Sequence, residues 1–354
     1  MSKFFSSKYS SLLPYVPGEQ PKEMKYVKLN TNESPFPPSK KAQKFAKKEC
    51  KKLNLYPDPD CKELTSTLAK ELGVKSENVL LTNGSDEILN FAFMAYCDKD
   101  NPAIFPDISY GFYKVFADIN NIPYEEIPLK EDFSIDINDY IDKKGMVVIA
   151  NPNAPTGINL SLKDIEKLLV SNKDRVVVID EAYVDFGGNS AITLLNKYDN
   201  LLVTQTFSKS RSMAGARLGY GVASKEIIAD LNAIKYSLNP YNINKMTACA
   251  GLGSLADRDY FIKNCKEIIV NREWTTEQLK DLGFTVLESK TNFVFAKHDK
   301  ISGEELYKRL KLLGVLVRHF DKDRIKEYNR ITIGNKKQMQ IFIDTVKGIL
   351  EEVK

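Results

Sequence analysis

A chain of 354 residues, 43% hydrophobic and 28% charged, has the make-up of an ordinary globular protein and the length for two domains. Its 51 basic and 47 acidic residues leave a net charge of +4, which gives no support for nucleic-acid binding; Lys40-Lys41 and Lys47-Lys48 read as a solvated helix face. Only two histidines, His298 and His319, are present, so a histidine-rich metal centre is excluded, a Ser-His-Asp triad is disfavoured, and no metal is expected.

Residues 1–40 are rich in Pro, Ser and Asn, with little periodicity beyond Tyr26-Val27-Lys28-Leu29, and predict an extended arm lying on another part of the protein. From 41 to 255, helical stretches alternate with short apolar runs: Val79-Leu80-Leu81, Ala103-Ile104-Phe105, Met146 to Ala150, Val176 to Ile179, and Leu201 to Thr204. Runs of that kind predict an α/β domain whose mostly parallel sheet is covered by helices on both faces. Past residue 256 the order changes. A long helical stretch leads to Thr285-Val286-Leu287 and Phe293-Val294-Phe295, then to a helix opening at Ser302 with Glu305 three residues on, the pattern of a capping box. Val315-Leu316-Val317-Arg318, Arg330 to Ile333, and a last helix with Met339, Phe342, Val346 and Ile349 on one face complete a smaller α+β domain over 256–354. The five cysteines (Cys50, Cys61, Cys97, Cys249, Cys265) form no C-x-x-C pair, which argues for reduced thiols in a cytoplasmic protein. No run approaches the roughly 18 apolar residues of a membrane helix, and the first residues lack the apolar stretch of a signal peptide.

Four segments in one order carry the chemistry: Asn83-Gly84-Ser85-Asp86, Asn151 to Gly157, Asp180-Glu181-Ala182-Tyr183, and Ser208-Lys209 followed by Arg217. Lys209 follows the Leu201–Thr204 run, where open parallel sheets bind ligands; alone it would read as one more surface lysine. Asp180 ends a buried run, so its carboxylate is expected in the same crevice. A helix cap is its other use, and a magnesium site is removed by the lack of any G-x-x-x-x-G-K-[ST] loop. The direction of Glu181 is not readable. The helix opened by Asn83–Glu87 offers first-turn N–H groups that favour a phosphate, although Ser85 and Asp86 would also serve as plain caps. Arg217 adds a planar charged fork. A phosphate cradle, a loop amide, a strand-end carboxylate and a lysine beside a hydroxyl are the groups that a pyridoxal 5'-phosphate (PLP) site needs.

On these segments the chain resembles the fold-type I PLP-dependent aminotransferases. Leu13-Pro14-Tyr15-Val16-Pro17-Gly18-Glu19-Gln20, Leu29 to Pro35 and Tyr56-Pro57-Asp58-Pro59 make it most similar to the histidinol-phosphate aminotransferase branch, and the likeness runs on to Arg330–Gly334. The resemblance implies Lys209 as the Schiff-base lysine, Asp180 opposite the pyridine nitrogen, Tyr183 as donor to the ring 3'-oxygen and Tyr110 stacked on the ring. It implies Ser85, Asp86, Ser208, Arg217 and the weaker candidate Thr206 around the phosphate. Tyr56 would reach the partner subunit's cofactor, which implies a homodimer, and the arm would join the smaller domain. Arg330 matches the carboxylate-binding arginine. Arg318 and Tyr15 are candidates for the substrate phosphate, the plainer readings being an exposed strand-end charge and a packing ring. The family's loop reads Asn-Pro-Thr-Gly, whereas Ala154 precedes Pro155 here; the amide is expected from Asn153, with Asn151 as the alternative. The implied reaction is a ping-pong transfer between histidinol phosphate and 2-oxoglutarate in histidine biosynthesis. An aromatic aminotransferase or a threonine-phosphate decarboxylase of the same fold would share this cofactor site. A dinucleotide-binding dehydrogenase is opposed by the absence of any G-x-G-x-x-G after a strand.

Overall fold

The computed structural model describes residues 2–9 and 12–353. The chain opens with β1 (Val27–Lys28), α1 (Lys40–Glu49) and α2 (Lys62–Leu72). The large sheet then assembles from β2 (Val79–Thr82), α3 (Ser85–Tyr96), β3 (Ala103–Pro106), α4 (Phe112–Asn120), β4 (Tyr124–Ile127), β5 (Met146–Ala150), α5 (Leu162–Ser171), β6 (Val177–Asp180), β7 (Leu201–Thr206) and β8 (Gly219–Ala223). Its seven strands lie in the order β2-β8-β7-β6-β5-β3-β4, and only the two pairings made by β8 are antiparallel. Every residue of β5, β6 and β7 is buried, because helices cover both faces. Alternation sorts their side chains: Val148, Val178 and Leu202 pack with Leu89 and Phe93 on one face, and Ile149, Ile179 and Val203 with Ile165 and Leu168 on the other.

Helices α6 (Lys225–Leu238), α7 (Lys245–Leu255) and α8 (Arg258–Asp281) lead to a smaller α+β domain. It holds β9 (Phe284–Val286), β10 (Phe293–His298), α9 (Gly303–Leu312), β11 (Val315–Leu316), β12 (Arg318–His319), β13 (Asn329–Thr332) and α10 (Lys336–Glu352). Its antiparallel sheet runs β12-β13-β10-β9, with Arg318 directly opposite Arg330. Among the described residues no helix is long and apolar enough to cross a membrane.

Several local readings are refined. Val315–Arg318 is two short strands: β11 pairs with β1 of the arm, whereas β12 pairs with β13. β4, Tyr-Glu-Glu-Ile, carries charge because it is an edge strand. β8 is glycine-rich because neighbours press on it: a Cβ at Gly219 would lie 2.4 Å from Gly84 C and Ser85 N. At Ser302 only half of a capping box forms. Its hydroxyl accepts from Glu305 N (3.2 Å), while the Glu305 carboxylate pairs with Arg309 (2.6 Å).

The arm is part of the smaller domain's core. Leu29 N donates to Leu316 O (2.8 Å), Thr332 N donates to Leu29 O (3.0 Å), and the Leu29 side chain is buried with Val294, Ile331 and Phe342. Leu29→Ala is expected to cost about 2–5 kcal/mol, read as a lower urea midpoint. Limited proteolysis should then cut the arm before it cuts the large sheet; an unchanged midpoint would show that the arm's anchor lies elsewhere.

Candidate active site

β5, β6 and β7 end side by side at their carboxyl ends, with Ala150 in register with Asp180 and Asp180 with Thr204. Beyond them opens a cavity of ≈ 350 Å³, walled by Asp180 at the end of β6 and Tyr183 after it, by Thr206 at the end of β7 with Ser208 and Lys209 after it, by Ser85 and Asp86 of α3, and by Tyr110 and Arg217. A second cavity of ≈ 410 Å³ adjoins it, lined by Tyr15, Arg318 and Arg330 among others. Thr31, Tyr110, Ala154, Tyr183 and Lys209 line both. Lys209 therefore stands at the junction, with Nζ 5.8 Å from the centre of the Tyr183 ring.

The end of the cavity at the start of α3 is built by close backbone approach. The N-cap of α3 is Gly84, at φ 78°, and no side chain caps the helix, so Ser85 and Asp86 leave the first-turn N–H groups open. A Cβ on Gly84 would meet Arg217 Nη2 at 2.5 Å, so glycine is required for the guanidinium to lie against the helix start. Arg217 Nη2 donates to Asp86 Oδ2 (2.9 Å), and Tyr110 OH donates to Asp86 Oδ1 (2.8 Å). The Asp86 carboxylate thus orients these two side chains. Thr206 Oγ1 accepts from Ser208 N (3.1 Å) and lies 2.9 Å from Ser208 Oγ.

At the other end, Asp180 is buried. Its Oδ2 accepts from Tyr113 OH (2.9 Å), and its Oδ1 has no partner. Burial raises its pKa to about 6, against the Tyr113 bond, which works to lower it. Asp180 lines the cavity, and a buried carboxylate oxygen without a partner beside it calls for a cation or a proton donor there. Sequence reading missed Tyr113, although it sits three residues after Tyr110, near one helical turn away, and meets that ring edge-on at 5.6 Å. Glu181 lies on the opposite side of the strand end, away from the cavity. It accepts from Ser190 OH (2.6 Å), Ala191 N (2.6 Å) and Gln205 Nε2 (2.7 Å), and burial raises its pKa to about 7.

The expected loop amide does not face the cavity. Asn153 Nδ2 donates to Ile108 O (2.9 Å) and Thr156 Oγ1 (3.0 Å), and its Oδ1 accepts from Ser109 OH (2.8 Å). Asn151 is likewise committed to Leu160, and it is Ala154 that lines the cavity. Tyr56 is also outside it: its ring is 79% exposed and stacks on Tyr241 at 4.6 Å. In the second cavity Tyr15 stacks on Phe112 (4.3 Å) and Arg318 donates to Val16 O (3.2 Å). Arg330 Nη2 donates to Asn30 O (3.1 Å), and its buried Nε has no partner. Burial, helped by Arg318, holds the Arg330 pKa below its ordinary value.

Residues 24–346 match the family described as aminotransferase class I and II. The chain belongs to that family. It is 47% identical over 353 residues to a histidinol-phosphate aminotransferase of Brachyspira hyodysenteriae, covering 99% of this chain and all of that one. Among solved aminotransferases it is similar to the histidinol-phosphate aminotransferase of Clostridium acetobutylicum (TM-score 0.84, 26% identity, 92% of this chain and 99% of that one). The fold is also that of the Sinorhizobium meliloti histidinol-phosphate aminotransferase solved with pyridoxal-5'-phosphate (TM-score 0.91, 21% identity, 100% of this chain and 99% of that one). The residues fit PLP: open helix-start amides beside Arg217 suit a phosphate, and the bare Asp180 Oδ1 suits a protonated ring nitrogen.

Asp180 makes this testable in the cofactor-free aminotransferase. The folded carboxyl holds its proton up to about pH 6, against an ordinary value of 3.8, so folding takes up a proton between those values and stability from this group falls as pH rises through them. Asp180→Asn should therefore stabilise the apoprotein above pH 6, by on the order of 1–3 kcal/mol, and the gain should vanish below about pH 4. Denaturation of both apoproteins at the two pH values checks it; an equal difference at both would show that Asp180 is not the group concerned.

Proposed function

We propose that this PLP-dependent aminotransferase moves the amino group of histidinol phosphate to 2-oxoglutarate, giving imidazole acetol phosphate and glutamate, as a cytoplasmic step of histidine biosynthesis. The observation that carries the proposal is the junction: one lysine lines both the cavity whose residues fit PLP and a cavity with two cross-strand arginines. The names of full-length relatives agree with it.

When bound, PLP supplies an aldehyde that condenses with amines and a ring that accepts electrons from the substrate Cα. The first-turn amides of α3, Ser208 and Arg217 would hold its phosphate. Tyr110 would cover the ring, Asp180 would keep the ring nitrogen protonated, and Tyr183 would donate to the 3'-oxygen. Lys209 Nζ, when free, would take the proton from the substrate Cα and return it to the carbon on the far side of the amine nitrogen, two bonds away, as general base and then acid. In the second cavity, Arg318 and Arg330 are cross-strand neighbours of like charge, a disfavoured arrangement that an anion between them relieves. A guanidinium fork accepts either a carboxylate or a phosphate, so one pocket can serve both half-reactions. Tyr15 would add a neutral donor.

An amino-donor screen against histidinol phosphate, phenylalanine, tyrosine, aspartate and threonine phosphate tests the substrate directly. Arg330→Ala should lower kcat/KM for both histidinol phosphate and glutamate, by roughly 10–100-fold. Arg318→Ala and Tyr15→Phe should hurt histidinol phosphate several-fold more than glutamate. Equal losses for both donors in these two variants would remove the phosphate role and favour an aromatic substrate.

The proposal includes a homodimer in which Tyr56 serves the second copy's cofactor phosphate. Its support is the exposed ring, flanked by exposed Leu53 and Leu55, on a chain whose own cavity it does not line. Mixing Tyr56→Ala and Lys209→Ala chains should restore activity above either parent, since one site of each heterodimer then carries neither lesion. No recovery after demonstrated subunit exchange would place Tyr56 outside the shared site.

A further inference from the structure

The loop that lacks a cavity-facing amide leaves a question about Tyr183, whose hydroxyl could turn in several directions. The arm answers it. Asn32, buried at φ 57°, donates from Nδ2 to the Tyr183 hydroxyl (2.9 Å). The orientation of that amide follows from its other neighbour. Thr332 Oγ1 accepts from Asn32 N (3.0 Å) and donates to Asn32 Oδ1 (3.0 Å), which leaves Nδ2 to face Tyr183. Asn292 Nδ2 fixes the same residue through Asn32 O (3.0 Å). A tyrosine oxygen that already accepts a hydrogen bond presents its hydrogen elsewhere, here toward the cavity shared with Lys209.

We propose that Asn32 is a positioning residue: it fixes the Tyr183 hydroxyl as a donor into the cavity and ties that donor to the strand that carries Arg330. Thr332 lies two residues after Arg330 on β13, and Arg330 itself donates to Asn30 O of the same arm segment. The arm thus joins the substrate-facing strand to the tyrosine beside the lysine. The inference rests on the reading that PLP occupies the cavity joined to Lys209.

The test is an absorbance titration of the holoenzyme's lysine–cofactor chromophore across the neutral range. A donor on the ring 3'-oxygen favours the form in which that oxygen carries charge and the lysine nitrogen is unprotonated. Tyr183→Phe should therefore raise the titration midpoint. Asn32→Gly, which suits the left-handed backbone and adds no charge, should raise it by roughly half a unit to one unit. The other groups that face this hydroxyl or the lysine (Lys209, Asp180, Glu33, Tyr110 and Arg330) are unchanged in these variants. In a Tyr183→Phe background, Asn32→Gly should produce no further shift. Thr332→Val, which leaves the arm residue intact but removes the group that orients its amide, should give a smaller rise and covers the case in which Asn32→Gly fails to fold. No shift in either variant, or the same shift with and without the tyrosine hydroxyl, overturns the proposal. A wild-type protein with no borohydride-fixable chromophore would instead defeat the cofactor reading beneath it.

Discussion

A carboxylate buried at the end of a parallel strand, with one oxygen bare, is the constraint around which the rest of the site is organised. Desolvating a charge is costly unless something compensates for it, and the one side chain that hydrogen-bonds Asp180 is Tyr113, which leaves Oδ1 without a partner. The strand geometry makes this possible. β5, β6 and β7 end together, so Asp180 meets a cavity roofed by side chains that follow the neighbouring strands. The unmet half is what a ligand with a protonated nitrogen would satisfy.

The opposite end of the cavity solves the complementary problem. A phosphate brings negative charge, and here the compensation comes from backbone. Gly84 and Gly219 remove the side chains that would keep β8 and Arg217 away from the start of α3. The Asp86 carboxylate does not stand free as a rival anion, because its two oxygens are taken by Tyr110 and Arg217. Its charge is spent on holding the ring-covering residue and the guanidinium in one arrangement. Fixed dipoles and a pre-set fork then need little reorganisation when an anion arrives.

Much of this was legible in the sequence, for reasons that differ by residue. β5, β6 and β7 are apolar on both faces, so they announced themselves as runs, and Asp180 and Lys209 were placed by standing just past two of them. β8 and β4 were not legible, because glycine where a helix presses and glutamate on an edge do not look like buried strand. Asn153 was misplaced because spacing along a loop does not say which way an amide turns; only Ile108, Ser109 and Thr156 decide that. Tyr113 and Asn32 were missed for a related reason. Each acts by a hydrogen bond to a residue far away in the chain, at separations of 67 and 151 positions, and no local pattern records such a bond.

The two sheets meet through the segment that sequence reading found least structured. Leu29 is core of the smaller domain, Asn30 holds Arg330 and Asn32 holds Tyr183, so three nearby residues of the arm touch the fold, the substrate end and the cofactor end in turn. An arm with only a two-residue strand gains its order from these contacts rather than from its own hydrogen-bond ladder. On the proposed function, that arrangement would serve a second cavity that takes two different anions in alternation. A guanidinium held by a carbonyl, with its Nε bare, keeps a donor in reserve, and the strand that carries it is tied to the tyrosine over the lysine.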